Sequence, residues 1–419
     1  MFQNNLLMGA ASISAGGITV DNSVLYNDDD SPRLTRTPTT VGNRRRGSLS
    51  LWYKRCTLGS IQQLFNAGAG DDITFNASDK LTFADSSGVS YITTQVFRDI
   101  TAWGHLVFAW DTTLETAGDR LRIYHNGVEI TAFDTETNPD QMDELEISNT
   151  VRQTIGANES DTEEFDGYLS QVYLVDGAQL TPTDFGEFST NGVWRPIELN
   201  SSAVTTTETV ATFTANQSVD TFGDGNANQK SHGLRFTADK AGTVKFGRLN
   251  CGTVTTAVDV TMSVWTEDSG SPGSQIGGSS DELTVSTTGI KTLTWSSNYP
   301  TISASTLYWI VITDSSTSGN VGLMRRSSNT GFIHGASDTI TSISSGSGSV
   351  NTSYPIQLEL GFEDTGYGTN GFKLDFSNST LLGLDVAGAA ASSTTYRYLK
   401  LDVTDNGASS TYVSLAEMQ

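Results

Sequence analysis

The residues with the most catalytic reach are two glutamates one position apart, in Asp143-Glu144-Leu145-Glu146. On a strand, Glu144 and Glu146 would share a face about 7 Å apart in rise, a tolerable spacing for two carboxyls working on one glycosidic bond. The segment follows a Pro-Asp turn, so a solvated acidic strand edge is expected and no catalytic residue. The four histidines are scattered. His105 and His125 fall in strands, and no His-x-x-x-His, cysteine pair or Ser-His-Asp order marks a metal or a nucleophile. No cofactor is expected. Calcium is the one candidate ion, with Asp28, Asp30, Asp161 and Asp166 as oxygen donors beside Asp29 and Glu163, but no D-x-D-x-D-G loop supports it.

Sugar binding asks for a different set: an exposed aromatic ring on which a pyranose stacks, beside fixed polar partners. Trp110, Trp194, Trp265, Trp295 and Tyr354 qualify by type. Trp265 is the strongest, because its alternating neighbours place it opposite the apolar face of its strand, although core filling is the commoner fate of a tryptophan. Arg44-Arg45-Arg46 is the one basic run and reads as a solvated turn ahead of a strand. Cys56 and Cys251 fall in different modules and read as free, buried thiols.

These residues must be carried by strands. In Leu121-Arg122-Ile123-Tyr124-His125-Asn126-Gly127-Val128-Glu129-Ile130, Asn-Gly supplies a type I′ turn and sets the register. His125 then faces Val128, Tyr124 faces Glu129 and Ile123 faces Ile130, with Leu121, Ile123, Val128 and Ile130 on a core face and the other face wet. Segments 48–54, 105–110 and 168–175 are further strands, the last two apolar on both faces. Thr181-Pro182-Thr183-Asp184 predicts one short helical turn capped by Thr181. Later, Val258, Val260, Met262 and Val264 alternate with polar residues, a turn follows at 268–273, and 307–312 is wholly apolar.

The chain has 419 residues, 41 of them glycine, and a net charge of −23. That composition suits short strands and tight turns. The acidity argues against a nucleic-acid partner, and no apolar run is long enough to insert in a membrane. The start lacks the basic region of a signal peptide, which implies synthesis in a cytoplasm. Residues 1–202 carry 13 basic and 28 acidic groups, a net −15, whereas 203–362 and 363–419 carry −4 each. With linker-like stretches at 200–207 and 361–366, this divides the chain into a segment 1–19, a module 20–200, a module 203–362 and a tail 377–419.

Three segments in order, Trp103–Asp111, Leu121–Ile130 and Phe165–Tyr173, resemble the laminin-G / concanavalin-A-like jelly-roll superfamily over about residues 20–190. The implied fold class is all-β: two antiparallel β-sandwiches, one laminin-G/concanavalin-A-like jelly roll plus an inserted second jelly-roll-like sandwich, and a short C-terminal β segment. Met1–Met8, Tyr26–Pro32, Leu180–Gly186 and Gly368–Phe376 are similar to a set of tailed-phage virion proteins in which G-V-W-x-P, here 192–196, runs almost directly into Y-G-T-N-G-F, here 367–372. The resemblance implies that the second module is inserted in that connection and that 366–376 completes the first. Thr266–Gly273 is similar to a turn of jelly-roll modules in bacterial and phage surface proteins, and 396–401 with 411–417 to the opening of a discoidin-like sandwich. Such strands would need an inter-chain contact or further sequence to complete it.

The functional expectation is a non-enzymatic structural component of a tailed-phage virion: a tail fibre or receptor-binding appendage recognising host surface glycan. The alternatives are a capsid decoration or head-fibre protein and a polysaccharide-degrading tailspike. Its expected partners are other virion proteins, docked through the N-terminal segment, host cell-surface carbohydrate, and further copies of itself, as a trimer by fibre resemblance.

Overall fold

The computed structural model describes residues 18, 20–201, 204–210, 219–223, 230–238, 241–324, 332–335, 357–377, 382–383 and 400–402. The chain divides into two compact units: Met1–Thr207 with Asp364–Gln419, and Glu208–Glu363. The registered strand pairs in both are antiparallel, and no helix among the described residues is long and apolar enough to cross a membrane.

The first unit is built on two sheets. One runs in the order Val24–Tyr26, Gly167–Asp176, Arg46–Arg55, Gly104–Asp111, Leu121–His125 and Val128–Glu129, with Phe372–Leu374 also paired to Gly167–Asp176. The other runs Phe133–Thr137, Ser90–Val96, Lys80–Ala84, Asp71–Phe75, Gln62–Ala67, Gln153–Ile155, Arg33–Arg36 and Lys400–Asp402. Alternation sends Leu49, Leu51 and Tyr53 between the sheets, where they meet Phe65, Phe75, Phe83, Phe108 and Trp110.

The hairpin has the register that Asn-Gly demands. Val128 lies opposite His125 and Glu129 opposite Tyr124, with Asn126 and Gly127 at φ 49° and 82°. Its faces differ from the expectation at two places. Val128 is 61 % exposed, because it sits past the last core layer on an edge strand of two residues. Tyr124 is buried, because the outer face of this sheet is covered and not wet.

The cover comes from later in the chain. Val107, Ala109, Tyr124, Tyr173 and Val175 on the outer face pack against Ala178, Phe185, Leu199 and Val204. This third layer explains why strands 105–110 and 168–175 are apolar on both sides. Buried serines on the same face are tied to it: Ser48 Oγ donates to Ala178 O at 2.8 Å and accepts Leu180 N–H at 2.7 Å. The helical turn of the cover is Pro182–Asp184, 3₁₀ in type. Thr181 N–H donates to Asp184 Oδ2 at 2.8 Å, and a capping box closes it.

The return segment is latched by a buried carboxylate. Asp176 accepts Asn43 N–H at 2.7 Å and Asn370 N–H at 2.8 Å, and Asn370 Nδ2 donates to Thr40 O and Ser148 O, both at 2.9 Å. A Cβ at Gly42 would lie 1.9 Å from Asp176 Oδ2, so only glycine lets loop and carboxylate meet. Tyr367 stacks on Tyr173 with planes 8° apart.

The second unit pairs a sheet containing Thr205–Val210, Leu358–Thr365, Gly242–Thr256, Asn320–Met324 and Val219–Phe222 with one running Ser271–Ile276, Val258–Asp268, Thr306–Asp314, Ser231–Ala238 and Phe332–Gly335. Val258, Val260, Met262 and Val264 face its core with Tyr308, Ile310 and Ile312. Stretches that read as linkers, 200–207 and 361–366, are partly strand, because Thr205–Val210 and Leu358–Thr365 join this sheet.

Candidate functional site

The acid pair is not on a strand, and its charges are neutralised. Arg44 meets Glu144 at 3.0 Å and Glu146 at 2.8 Å, and Arg45 meets Glu144 at 2.7 Å. Arg46 in turn meets Asp111 at 2.6 Å. The arginine run is therefore a clamp and not a solvated turn, with Arg45 itself buried. Both carboxylates are thus engaged by the arginine run and not presented as a free pair.

The calcium candidates are similarly engaged. Asp161 pairs with Arg33 at 2.8 Å and with Arg152. Asp30 accepts from Asn27 Nδ2 at 3.0 Å, and Asp166 accepts from the Thr57 hydroxyl. Burial, then the neighbouring Asp166 and Asp29 carboxylates, pushes the Asp28 carboxyl up. Among the described residues, no three His, Cys, Asp or Glu side chains gather to hold a metal. Cys56 corrects the expectation of two buried thiols: it is exposed at the end of its strand, while Cys251 is buried.

Burial withdraws three of the five aromatic candidates as platforms. Trp110, Trp194 and Trp295 are 1 %, 7 % and 3 % exposed. Trp110 fills the sandwich, and Trp295 closes the second core with its indole N–H on Gly278 O at 2.8 Å. Trp194 fits against the hairpin turn, where a Cβ at Gly127 would come within 2.5 Å of its ring. Trp265 remains half-buried on an outer sheet face, and Tyr354 lies outside the described residues.

His105 sits at the centre of this packing, stacked 4.8 Å from Trp52 and 6.0 Å from Trp194. Trp194 Nε1 can only donate, and it lies 3.0 Å from His105 Nδ1. The imidazole proton therefore sits on Nε2 and is donated to Ser50 Oγ at 2.8 Å. A histidine donating to a serine is the reverse of a base activating a nucleophile. Burial also pushes its pKa down to about 3. The Ser50–His105–Trp194 chain is a structural tie between sheet and cover.

The described surface of the first unit does carry a cleft, about 160 Å³ in volume, between the loop 97–103 and the turn at 125–126. Asp99 shapes the loop: its Oδ1 accepts Thr101 N–H at 2.8 Å, Thr101 Oγ at 2.6 Å and Ala102 N–H at 3.3 Å. Those bonds, the hydroxyl's first, hold its carboxyl below the usual range. This turn presents Trp103, half-buried and tilted against Tyr168 at 6.4 Å. Arg98 is anchored by Nε on Asp79 Oδ2 at 2.8 Å, while its side chain remains 59 % exposed.

The opposite wall is His125 and Asn126. Gln95 Nε2 is a donor and lies 3.4 Å from His125 Nδ1, so Nε2 carries the proton and faces Tyr53 Oη at 3.3 Å. Burial pushes the His125 pKa down to about 4 and the Tyr53 phenol up, so both are neutral near pH 7. Asn126 Oδ1 accepts His105 N–H at 2.8 Å, and Asn126 also lines the cleft. One indole, a guanidinium, a carboxylate and neutral donors thus line a space of about half the ~300 Å³ at the low end of small-molecule pockets. The arrangement can stack and hydrogen-bond a small polar ring. It offers no activated nucleophile.

Trp103 is not singled out by residue type or alternation alone. The signal was Asp99-Ile100-Thr101-Ala102-Trp103, an Asx-turn pattern directly before a strand.

Residues 28–184 match the family model described as the concanavalin A-like lectin/glucanases superfamily. No curated protein matches the chain in sequence. Among solved structures, it is similar to domain 4 of an extracellular GH43 arabinanase from Geobacillus stearothermophilus, solved with arabinotriose. Identity there is 21 % and TM-score 0.25, over 34 % of this chain and 65 % of that one. A heptameric SAP-like pentraxin from Limulus polyphemus shows 14 % identity and TM-score 0.28, over 38 % and 77 %. Domains LG4-5 of the mouse laminin α1 chain show 12 % and 0.28, over 87 % and 94 %. The described strands and their order give the first unit an antiparallel jelly-roll-type fold, within which residues 28–184 match the laminin-G/concanavalin A-like family model.

Proposed function

We propose that this chain is a non-enzymatic adhesive component of a tailed-phage virion, a tail fibre or receptor-binding appendage, and that its first unit holds host surface glycan in the Trp103 cleft. The observation that carries the binding reading is the half-buried Trp103, which lines a cleft of about 160 Å³ together with Arg98, Asp99, Gln95 and Asn126. A pyranose offers an apolar face to an indole and hydroxyls to such partners. The virion reading is supported by the resemblance of segments 1–8, 26–32, 180–186 and 368–376 to virion proteins. Each contact is weak, and several copies on one particle supply avidity.

The test is competition and direct binding. Purified chain should block phage adsorption to host cells and bind host surface polysaccharide. Trp103→Ala should weaken binding at least tenfold, a loss of about 1.4 kcal/mol. Undiminished binding by the folded variant would remove the cleft from the reading. Binding to empty capsids without competition for cells would move the chain to a decoration role, and release of reducing ends from the polysaccharide would make it an enzyme.

A further inference from the structure

The second unit has a sheet face directed away from its core. Trp265, Trp309 and Val311 form a cluster apart from the main core, with Trp309 and Val311 fully buried and Trp265 half-buried against them. Register sets four residues in one cross-strand row: Arg235 opposite Trp309, Trp309 opposite Trp265, and Trp265 opposite Gln275. Cross-strand partners share a face, so all four side chains project on the same side.

The two indoles and the carboxylate beside them are held by hydrogen bonds. Trp265 Nε1 donates to Ser263 Oγ at 2.9 Å, which pins the ring. Glu267 Oε1 accepts Gly270 N–H at 2.6 Å and Oε2 accepts the Trp309 indole N–H, so the carboxylate is aimed by two donors. Arg235 reaches Glu267 only at 3.5 Å, and its guanidinium lies 6.0 Å from the Trp309 ring, which leaves donors for another partner. Gln275 is exposed. A pinned, half-open indole beside an amide, with an oriented carboxylate on the same face and a guanidinium two strands away, has what a sugar ring needs to stack and be oriented.

We infer that the second unit carries a carbohydrate platform of its own, centred on Trp265 and flanked by Arg235, Glu267 and Gln275. The row spans three strand spacings, about 14 Å, which exceeds one pyranose. Its ligand is therefore a run of consecutive sugars lying across the strands, whereas the smaller Trp103 cleft takes a single residue. The platform rests on the same adhesive reading of the chain but shares no residue with the cleft. Two sites on one chain would raise avidity for a repeating polysaccharide without any new contact.

The experiment uses the full chain and an array of bacterial surface polysaccharides with cello-, xylo-, malto-, chito- and arabino-oligosaccharides from one to six units. Hits are then titrated calorimetrically. Trp265→Ala should weaken at least one hit tenfold or more, Trp265→Phe should keep part of that affinity, and Glu267→Gln should weaken it with the indole intact. The Trp265-dependent affinity should also climb from one sugar to three. Near-UV circular dichroism and melting temperature report whether each variant folds. If Trp265→Ala and Glu267→Gln both fold and bind every hit as before, the platform does not exist, whatever Trp103→Ala does. Loss on Trp265→Ala with none on Trp103→Ala would keep the platform and remove the cleft. An array with no hit at all would overturn both.

Discussion

Asp71 is the described carboxyl most at odds with its surroundings. It is 1 % exposed, and burial pushes its pKa up to about 8, against the Ile147 N–H that its Oδ2 accepts at 2.7 Å. Between its ordinary 3.8 and about 8 the folded chain holds a proton that the unfolded chain has released. Stability from this group is thus full below pH 3.8, falls as pH rises to about 8, and stays lost above. Asp71→Asn should flatten that slope, so its melting temperature should gain on wild type more at pH 9 than at pH 5. His105 has the opposite sign. Its pKa, pushed down by burial from 6.5 to about 3, means that acid favours the unfolded chain from pH 6.5 downward. Its ring should still be neutral at pH 5 with the proton on Nε2, read from imidazole ¹⁵N shifts. A doubly protonated ring at that pH would contradict the Trp194–His105–Ser50 order.

At the scale of elements, the strand returning after the second unit depends on a few polar atoms. Asn370→Ala would strip donors from Thr40 O and Ser148 O inside the latch, and should cost about 2 kcal/mol in urea unfolding. Gly42→Ala should cost at least as much, since a Cβ 1.9 Å from Asp176 Oδ2 must displace that carboxylate or its loop. The hairpin shows what an element reveals in advance. Asn126-Gly127 permits one tight turn, and that turn sets every pair behind it. The clamp of Arg44 and Arg45 on Glu144 and Glu146 was not legible, because its halves lie about a hundred positions apart in the chain. The cover over Tyr124 was hidden for the same reason: it is supplied by residues 178–204.

On the scale of the whole molecule, the two units have separate cores. Phe108→Ala in the first and Ile310→Ala in the second should each cost about 3–4 kcal/mol. Scanning calorimetry should show two transitions, with each substitution lowering one melting temperature and leaving the other within a degree or so. Both moving together would mean that the units unfold as one. Both units are acidic, for a net charge of −23 overall, a balance that sets up long-range repulsion toward polyanions.

Local pattern alone determined the all-β class, the strands at 48–54, 105–110 and 168–175, the Asn-Gly register and the capped turn at Pro182, because each follows from neighbours within a few residues. By contrast, 205–210 and 358–365 are strands only by pairing with distant partners. Tertiary structure decided which aromatics reach solvent. Trp110, Trp194, Trp295, Trp103 and Trp265 are alike as side chains, and only packing by distant strands buries the first three and leaves the last two half-open. It also decided that the acids at 144 and 146 are ion-paired and that Ser50 receives a proton from His105. Whether a side chain is free to bind or already held depends on groups that the fold alone brings within a few ångströms.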